Sequence, residues 1–217
     1  MARPDYVAEP SRDCDKCPRL AAYRSANRAA HPDWHNAPVP SFGPRDARLL
    51  IVGLAPGLKG ANRTGRPFTG DYAGDLLYET LKTVGLATGD YDRRPDDDLA
   101  LIDCRITNAV RCVPPENKPT PAEARTCRGY LQAEIQGLAN LRAILALGRI
   151  AHDAVLAAFG CRLNGYKFGH GAKHGLPNGL HLVDSYHCSR YNTQTRVLTA
   201  AMFRDAVAIA GQLARAG

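Results

Sequence analysis

Four short apolar runs recur along the chain, and each ends at glycine, proline or polar residues that break regular structure. They cover residues 48–54, 99–110, 142–147 and 180–185. Runs of this length, rich in Leu, Ile and Val, are typical of buried strands. Around them, apolar residues recur at the spacing of one helix face, which predicts helices over 19–28, 73–84, 121–139, 150–159 and 195–215.

The alternation of these strands and helices predicts the fold class. A strand followed by a helix, repeated along a chain, builds a central parallel sheet with helices on both faces, which makes this an α/β protein. The length of 217 residues suits a single domain over residues 1–217. We expect residues 1 to about 45, which hold several prolines, to form an irregular N-terminal arm of this domain.

A long polar loop follows the first predicted strand. Residues 49–71 read LLIVGLAPGLKGANRTGRPFTGD, a strand and then a loop rich in glycine. A surface loop is the simplest interpretation, but a loop of this length without structure of its own is more often functional. Polar residues also follow the second strand, at Thr107 and Asn108, and the fourth, at 187–190. Because carboxyl ends of parallel strands meet in one crevice, we expect a site there.

Charge and hydropathy narrow the class of protein only a little. The net charge of +7 permits a polyanionic partner without requiring one. No apolar run reaches the roughly 18 residues of a membrane span, and the N-terminus lacks the apolar core of a signal peptide. We therefore expect a cytoplasmic monomer with no membrane partner. The seven cysteines, an odd number, are not expected to form disulfides in a reducing compartment.

Four of the cysteines form a candidate metal site. Cys14 and Cys17 make a C-x2-C pair, whereas Cys112 and Cys127 lie in and just after a proline-rich segment much further along. Thiolates in such loops hold structural zinc or an iron–sulfur cluster. Spacing alone leaves three interpretations open: zinc, a [4Fe–4S] cluster, or four unrelated buried cysteines. A metal here would tie the N-terminal arm to the 111–127 segment.

Four motifs, taken together, resemble the uracil-DNA glycosylase superfamily. They are GLAPG at 53–57, GANRTGRPFTGD at 60–71, ITNAVRC at 106–112, and His187-Cys-Ser189 with Asn192. The asparagine–arginine–threonine loop resembles family 5, the B-type enzymes of bacteria and archaea. The four cysteines match the iron–sulfur ligands that families 4 and 5 share. Cys188 stands where the family more commonly has proline.

The resemblance implies a three-layer α/β/α sandwich with a central four-stranded parallel sheet. It also implies a monofunctional DNA glycosylase of base excision repair, which hydrolyses the N-glycosidic bond of uracil in single- or double-stranded DNA. Family 5 further implies other deaminated bases, including hypoxanthine. The cofactor implied is a structural [4Fe–4S] cluster on the four cysteines, with zinc as the alternative.

Two other classes of function stay open. One is a nucleotide-binding α/β protein, although neither common phosphate-loop motif is present. The other is a non-catalytic iron–sulfur module that binds DNA.

An enzyme that removes a base from DNA must first take it out of the stack into a pocket. Phe68 is the candidate for stacking on that base, with a core anchor as the alternative. Asn108 has an amide that matches the edge of uracil, and a strand-end cap is its alternative role. The backbone at Gly53 and Ala55, together with His187, completes the expected base-binding set.

His187 and Asp71 are the candidate catalytic residues. A His187 N–H near O2 of uracil would stabilise the leaving base as an anion. Asp71 would orient the attacking water and favour the cationic sugar. An N-cap for the following helix is an almost equally good interpretation of Asp71, because aspartate is a favoured cap.

A further set of residues consists of candidate DNA contacts: Arg63, Arg66, Ser189, Arg190 and Asn192. Arginines bind phosphates. The 189–192 segment is placed to enter the gap that a flipped base leaves. Nothing in the sequence supports a lysine nucleophile, so we expect no lyase step.

Overall fold

The structure is a computed structural model, which describes residues 9–216. Its helices are α1 (Pro18–Ala30), α2 (Ala61–Thr64), α3 (Tyr72–Thr83), α4 (Pro121–Gly137), α5 (Arg149–Ala158), α6 (Arg190–Gln194) and α7 (Ala200–Arg215). Its strands are β1 (Leu49–Gly53), β2 (Ala87–Thr88), β3 (Ala100–Leu101), β4 (Cys104–Asn108), β5 (Ala143–Leu147), β6 (Lys173–Gly175) and β7 (His181–Ser185). Within the described part, no helix combines the length and the apolar character that crossing a membrane demands.

A five-stranded sheet in the order β4-β1-β5-β7-β6 forms the centre of the molecule. The first four of these strands are parallel, and β6 runs antiparallel to β7. The register pairs Gly53 with Asn108 and Leu147 with Ser185. The prediction of an α/β fold with a parallel sheet between helices is confirmed, and the four predicted strands form the body of the sheet.

The prediction is wrong in three details. A fifth strand, β6, pairs with the edge of β7, because backbone hydrogen bonds recruit a segment with no apolar pattern of its own. The run at 99–110 forms two strands, since Asp103 adopts a φ of 55° and turns the chain between them. The last long helix begins at Ala200, not at residue 195, because Arg196 adopts a φ of 58° and Thr199 caps the helix.

Helices bury both faces of the sheet. On one face, α3 and α7 pack their apolar residues, such as Leu77 and Phe203, against the sheet. On the other, α4 and α5 do the same with Leu131 and Val155. All five residues of β1 are buried, as expected of a central strand covered on both sides. The packed sheet fixes the positions of the loops at its carboxyl edge.

The predicted N-terminal arm is described from residue 9 onwards, and residues 1–8 lie outside the described part. It contains α1 and an irregular segment that pairs with the sheet through backbone bonds between Phe42 and Ile106. A second tie is ionic: the Arg111 guanidinium lies 2.9 Å from Glu9 and 3.3 Å from Glu134. Both ties hold the described part of the arm against β4 and α4.

Candidate functional site

A pocket of about 300 Å³ opens where the carboxyl ends of β1 and β4 meet the start of α3 and the segment after β7. Its lining residues are Leu54, Ala55, Pro56, Gly57, Ala61, Phe68, Asp71, Tyr72, Ala73, Asn108, Asn117, His187, Ser189 and Arg190. The three loops expected to meet at this edge of the sheet do so. The roles of the individual residues stay predictions.

Phe68, Asn108 and Gly53 pack closely beside this pocket. A Cβ on Gly53 would lie 2.4 Å from Asn108 Oδ1 and 2.6 Å from Phe68 Cζ, so only glycine fits there. Gly53 does not line the pocket itself, and it acts by leaving room for the other two side chains. The predicted contact of the Gly53 backbone with the base stays a prediction.

Phe68 belongs both to the hydrophobic core and to the pocket wall. Its φ of 52° lies in the left-handed region, which a bulky residue rarely adopts. The Tyr91 hydroxyl donates a hydrogen bond to the Phe68 carbonyl at 3.1 Å and helps to hold this conformation. Strain held in place by tertiary contacts is typical of functional positions. The core-anchor and base-stacking interpretations are thus compatible.

Asn108 carries a buried side-chain oxygen, Oδ1, that has no hydrogen-bond partner among the described residues. Leaving such an atom unpaired costs about 1–3 kcal/mol. A strand-end cap would use this oxygen, and residues 9–216 provide no such hydrogen bond. A ligand that brings an N–H group into the pocket would satisfy it.

Asp71 occupies the N-cap position of α3. Its Oδ1 accepts a hydrogen bond from the Gly74 amide at 3.2 Å. Its Oδ2 faces Gly60 and Gly57, at whose positions a Cβ would lie 2.3 and 3.0 Å away. Burial raises the pKa of the carboxyl group above its usual value, although backbone amides oppose the shift. One oxygen caps the helix, and the other faces a glycine-lined wall of the pocket.

His187 lies between this pocket and a second, more apolar groove. Its ring centre is 6.0 Å from that of Phe68, and the two planes are 28° apart. Burial lowers the pKa of the imidazole to about 4, so the ring is neutral at pH 7. A neutral imidazole still donates one N–H, which is enough to bond a developing oxyanion.

Local contacts hold the segment that carries His187. The side-chain Nδ2 of Asn192 donates to the His187 carbonyl at 2.8 Å. The backbone N–H of Asn192 donates to Oγ of Ser189. The buried thiol of Cys188 donates to the carbonyl of Ala73, near the start of α3, at 3.5 Å. The side-chain amide of Asn192 therefore holds the backbone of His187 in place. The thiol links the His187 segment to the helix that Asp71 begins.

The prediction of Arg66 as a DNA contact is wrong. Its side chain is only 5% exposed. The guanidinium makes two bonds to the Asp97 carboxylate, at 2.6 and 2.8 Å, and lies over the ring of Phe42. A buried, fully paired guanidinium is not available to a phosphate. Arg66 instead braces the loop between β1 and α3.

Of the other predicted DNA contacts, Arg63 and Arg190 lie at the surface, whereas Ser189 and Asn192 are half-buried. The Arg190 guanidinium sits at the pocket mouth, 5.4 Å from the ring centre of Tyr72. Arg63 is exposed in α2, where it lines a separate surface groove together with Trp34. Tyr191, next to Arg190, is 73% exposed. These side chains present cations and an aromatic ring around the pocket.

Three lining residues, Tyr72, Ala73 and Asn117, lie outside the motifs and the site residues predicted from the sequence. Tyr72 directly follows Asp71, so its place beside the predicted site offered a usable signal. Asn117 offered none, because it reaches the pocket only through a turn in which Glu116 and Asn117 both adopt a φ of 56°.

The four cysteines Cys14, Cys17, Cys112 and Cys127 line one small cavity. N–H groups reach two of the sulfurs: the Arg111 amide donates to Cys127 at 3.4 Å, and the Arg24 guanidinium to Cys112 at 3.7 Å. Thiolates of metal centres accept such hydrogen bonds. Four unrelated buried cysteines do not explain this convergence.

No three of the four cysteine sulfurs all lie within 4.8 Å of one another. In a tetrahedral zinc site with bonds of about 2.3 Å, the sulfurs lie about 3.8 Å apart. Among residues 9–216, the group with donor atoms all within 4.8 Å of one another contains none of these cysteines. Burial raises the pKa of the Cys112 thiol to about 11. A bound metal would have to displace that proton.

The amino-acid sequence of the chain is similar to a known family and to several of its members. Residues 40–210 match the family model described as the uracil DNA glycosylase superfamily. The chain is 49% identical over 207 residues to the Type-5 uracil-DNA glycosylase of Thermus thermophilus, with 93% of this chain and 94% of the relative covered.

Two further relatives carry the same description. The Type-5 uracil-DNA glycosylase of Mycobacterium bovis is 42% identical over 210 residues, which cover 91% of this chain and 78% of the relative. That of Pyrobaculum aerophilum is 38% identical over 209 residues, with 93% and 91% covered. The chain is thus similar to these proteins over nearly all of its length.

Proposed function

The chain belongs to the uracil DNA glycosylase superfamily, among its type-5 members, and we propose that it removes uracil from DNA by hydrolysing the N-glycosidic bond. It is a uracil-DNA glycosylase of DNA repair. The single observation that carries the proposal for this pocket is the unpaired, buried Oδ1 of Asn108. The N3–H of uracil is a donor that would satisfy this oxygen. In uracil, as in thymine, this N–H stands next to a ring carbonyl.

The base reaches the pocket by leaving the DNA stack. The pocket lies at the carboxyl edge of the sheet, and its volume of about 300 Å³ exceeds what a pyrimidine ring needs. Phe68 supplies the stacking surface. Arg190 and Arg63 bind phosphates of the flanking strand, and exposed Tyr191 fills the gap in the stack. The same spare volume accommodates a purine, which supports hypoxanthine as a further substrate.

Cleavage of the bond leaves a cationic sugar and an anionic base. Neutral His187 donates an N–H to the developing charge on uracil O2, at no cost in protonation at pH 7. Asp71 keeps Oδ1 on the helix and uses Oδ2, beside Gly57 and Gly60, to orient the water. Its negative charge also favours the cationic sugar.

The cysteines Cys14, Cys17, Cys112 and Cys127 hold a [4Fe–4S] cluster of structural function. The cavity they line lies between the N-terminal arm and α4, so the cluster joins these parts of one domain. We further propose that the protein acts on DNA as a monomer in the cytoplasm. Iron analysis, acid-labile sulfide and absorption near 400 nm would distinguish the cluster from zinc.

The test of the proposed function is excision on oligonucleotides that carry uracil or hypoxanthine, in single and double strands. Wild-type protein should leave an abasic site. Asn108→Ala should lower excision by about 100- to 1,000-fold. Asn164→Ala, at an exposed turn outside the pocket lining, should leave excision unchanged.

Failure of the cluster-loaded wild type to excise either base would overturn the proposal and favour a non-catalytic DNA-binding module. Equal loss of excision in both asparagine variants would remove the assigned role of Asn108.

A further inference from the structure

Two imidazole rings converge on one buried carboxylate outside the pocket. His152 of α5 places Nδ1 2.7 Å from Asp184 Oδ1, and His174 of β6 places Nε2 3.1 Å from Asp184 Oδ2. One donor atom from each of the three residues lies within 4.8 Å of the other two. The group is drawn from three separate elements, so only the tertiary structure assembles it.

The outer contacts of these residues orient their donor atoms toward one another. The remaining nitrogen of His152, Nε2, lies 3.0 Å from the Tyr166 carbonyl and donates to it. In the neutral ring this contact leaves the lone pair on Nδ1, the nitrogen that faces Asp184. The Gly169 amide donates to Asp184 Oδ2 at 3.3 Å. A carbonyl behind a histidine ligand and an amide behind a carboxylate ligand are typical of metal sites.

We propose that His152, His174 and Asp184 bind a first-row divalent cation such as zinc. Two imidazole nitrogens and one carboxylate oxygen are the donors that such ions prefer. His152 and Asp184 are almost fully buried, whereas the His174 side chain is 13% exposed. His174 therefore marks the path by which an ion enters. The set contains no sulfur, so it is distinct in chemistry from the four-cysteine site.

The bound ion joins α5 and β6 to β7, and the 166–172 loop contacts its ligands through the Tyr166 carbonyl and the Gly169 amide. Asp184 lies three residues before His187, and His170 of the same loop accepts the Tyr186 amide at 3.2 Å. The ion would thus stiffen the connection between the sheet and the segment that carries His187. We assign it this structural effect and no step in catalysis.

The experiment uses the full chain without an affinity tag and with its iron–sulfur content intact. Zinc is added, excess is removed by dialysis, and zinc and iron are counted by mass spectrometry. X-ray absorption at the zinc edge then measures the bond lengths. We expect one zinc per chain with bonds of about 2.0–2.1 Å, which report nitrogen and oxygen ligands, and not about 2.3 Å, which reports sulfur.

Variants locate the ion. His174→Gln, at the partly exposed position, should bind zinc at least about tenfold more weakly while it retains its iron. His181→Gln is the matched control, because His181 is exposed on the neighbouring strand and lies outside the group. Zinc should raise the melting temperature of wild type and of His181→Gln, but not that of His174→Gln.

Three results would overturn the proposal. They are zinc bonded to sulfur, zinc content that does not change in His174→Gln, and no zinc retained by the wild type. The last result would assign the three residues to a hydrogen-bonded network centred on the Asp184 carboxylate, without a metal.

Discussion

The carboxylate of Asp71 accepts a hydrogen bond from the amide of Gly74 at 3.2 Å through one oxygen and turns its other oxygen toward the glycine-lined wall of the pocket. Two roles, helix capping and water placement, therefore meet in one side chain. Because they use different oxygens, substitution can separate them.

Asp71→Ser should keep the cap and lose the chemistry. Serine caps helices about as well as aspartate, so the free energy of unfolding should stay within about 0.5 kcal/mol of wild type. Excision should fall by at least about 100-fold, because serine carries no charge to orient water or favour the sugar cation. Asp71→Ala should lose excision and also about 1 kcal/mol of stability. Retention of excision by the serine variant would reduce Asp71 to a cap.

Gly53→Ala should damage the pocket through steric conflict alone. The added Cβ meets Asn108 Oδ1 at 2.4 Å and Phe68 Cζ at 2.6 Å, so both side chains must move. We expect excision to fall by at least about tenfold and stability to fall by about 1–3 kcal/mol.

Gly129→Ala in α4 is the control, since a Cβ there meets no atom of the described residues within 4 Å. It should raise stability by about 0.5–1 kcal/mol and leave excision unchanged. Similar behaviour of the two variants would show that the pocket adjusts to the extra methyl group.

His187 should make the protein less stable in acid. Its pKa is about 4 in the folded protein against 6.5 as the usual value, so the fold favours the neutral ring. The stability that depends on this preference is complete above pH 6.5 and is lost as the pH falls toward 4. Between pH 7 and pH 5, wild type should lose about 2 kcal/mol relative to His187→Gln.

Denaturant unfolding at the two pH values, with iron content monitored, measures this difference. Nuclear magnetic resonance provides an independent check, because the His187 ring signals should not titrate between pH 5.5 and 8. A midpoint near 6.5 would contradict the neutral ring.

Arg66 and Arg190 should respond in opposite ways to removal. Arg66→Ala leaves buried Asp97 without its partner and should cost about 3–5 kcal/mol of stability. At temperatures where the Arg66→Ala variant stays folded, its DNA binding should depend on salt almost as that of the wild type does. Arg190→Ala should leave stability unchanged and lower the slope of log K against log salt by about 1.

Fluorescence anisotropy with an abasic-site oligonucleotide at several salt concentrations measures both slopes. A lower slope for Arg66→Ala with stability intact would return that residue to the DNA interface.

The sequence by itself determined the four parallel strands of the central sheet, most of the helices and the class of the fold. Apolar runs and helical periodicity are local patterns, and the strand–helix alternation leaves few topologies for a chain of this length. The meeting of the polar loops after three strands also followed from the order of the strands and helices, since parallel strands bring their carboxyl ends to one edge. That is why Phe68, Asp71, Asn108 and His187 could be predicted as neighbours, and they do line one pocket.

Only the tertiary structure decided how each polar group is used. Arg63 and Arg66 look alike in the loop, yet Asp97, about 30 residues later, buries Arg66 and leaves Arg63 in solvent. Asn117 reaches the pocket, and β6 joins the sheet, through backbone turns and edge pairing that no side-chain pattern encodes. His152, His174 and Asp184 meet because three elements pack together. Sequence patterns report which residues face the core, whereas charge pairing between distant segments depends on where the folded chain places them.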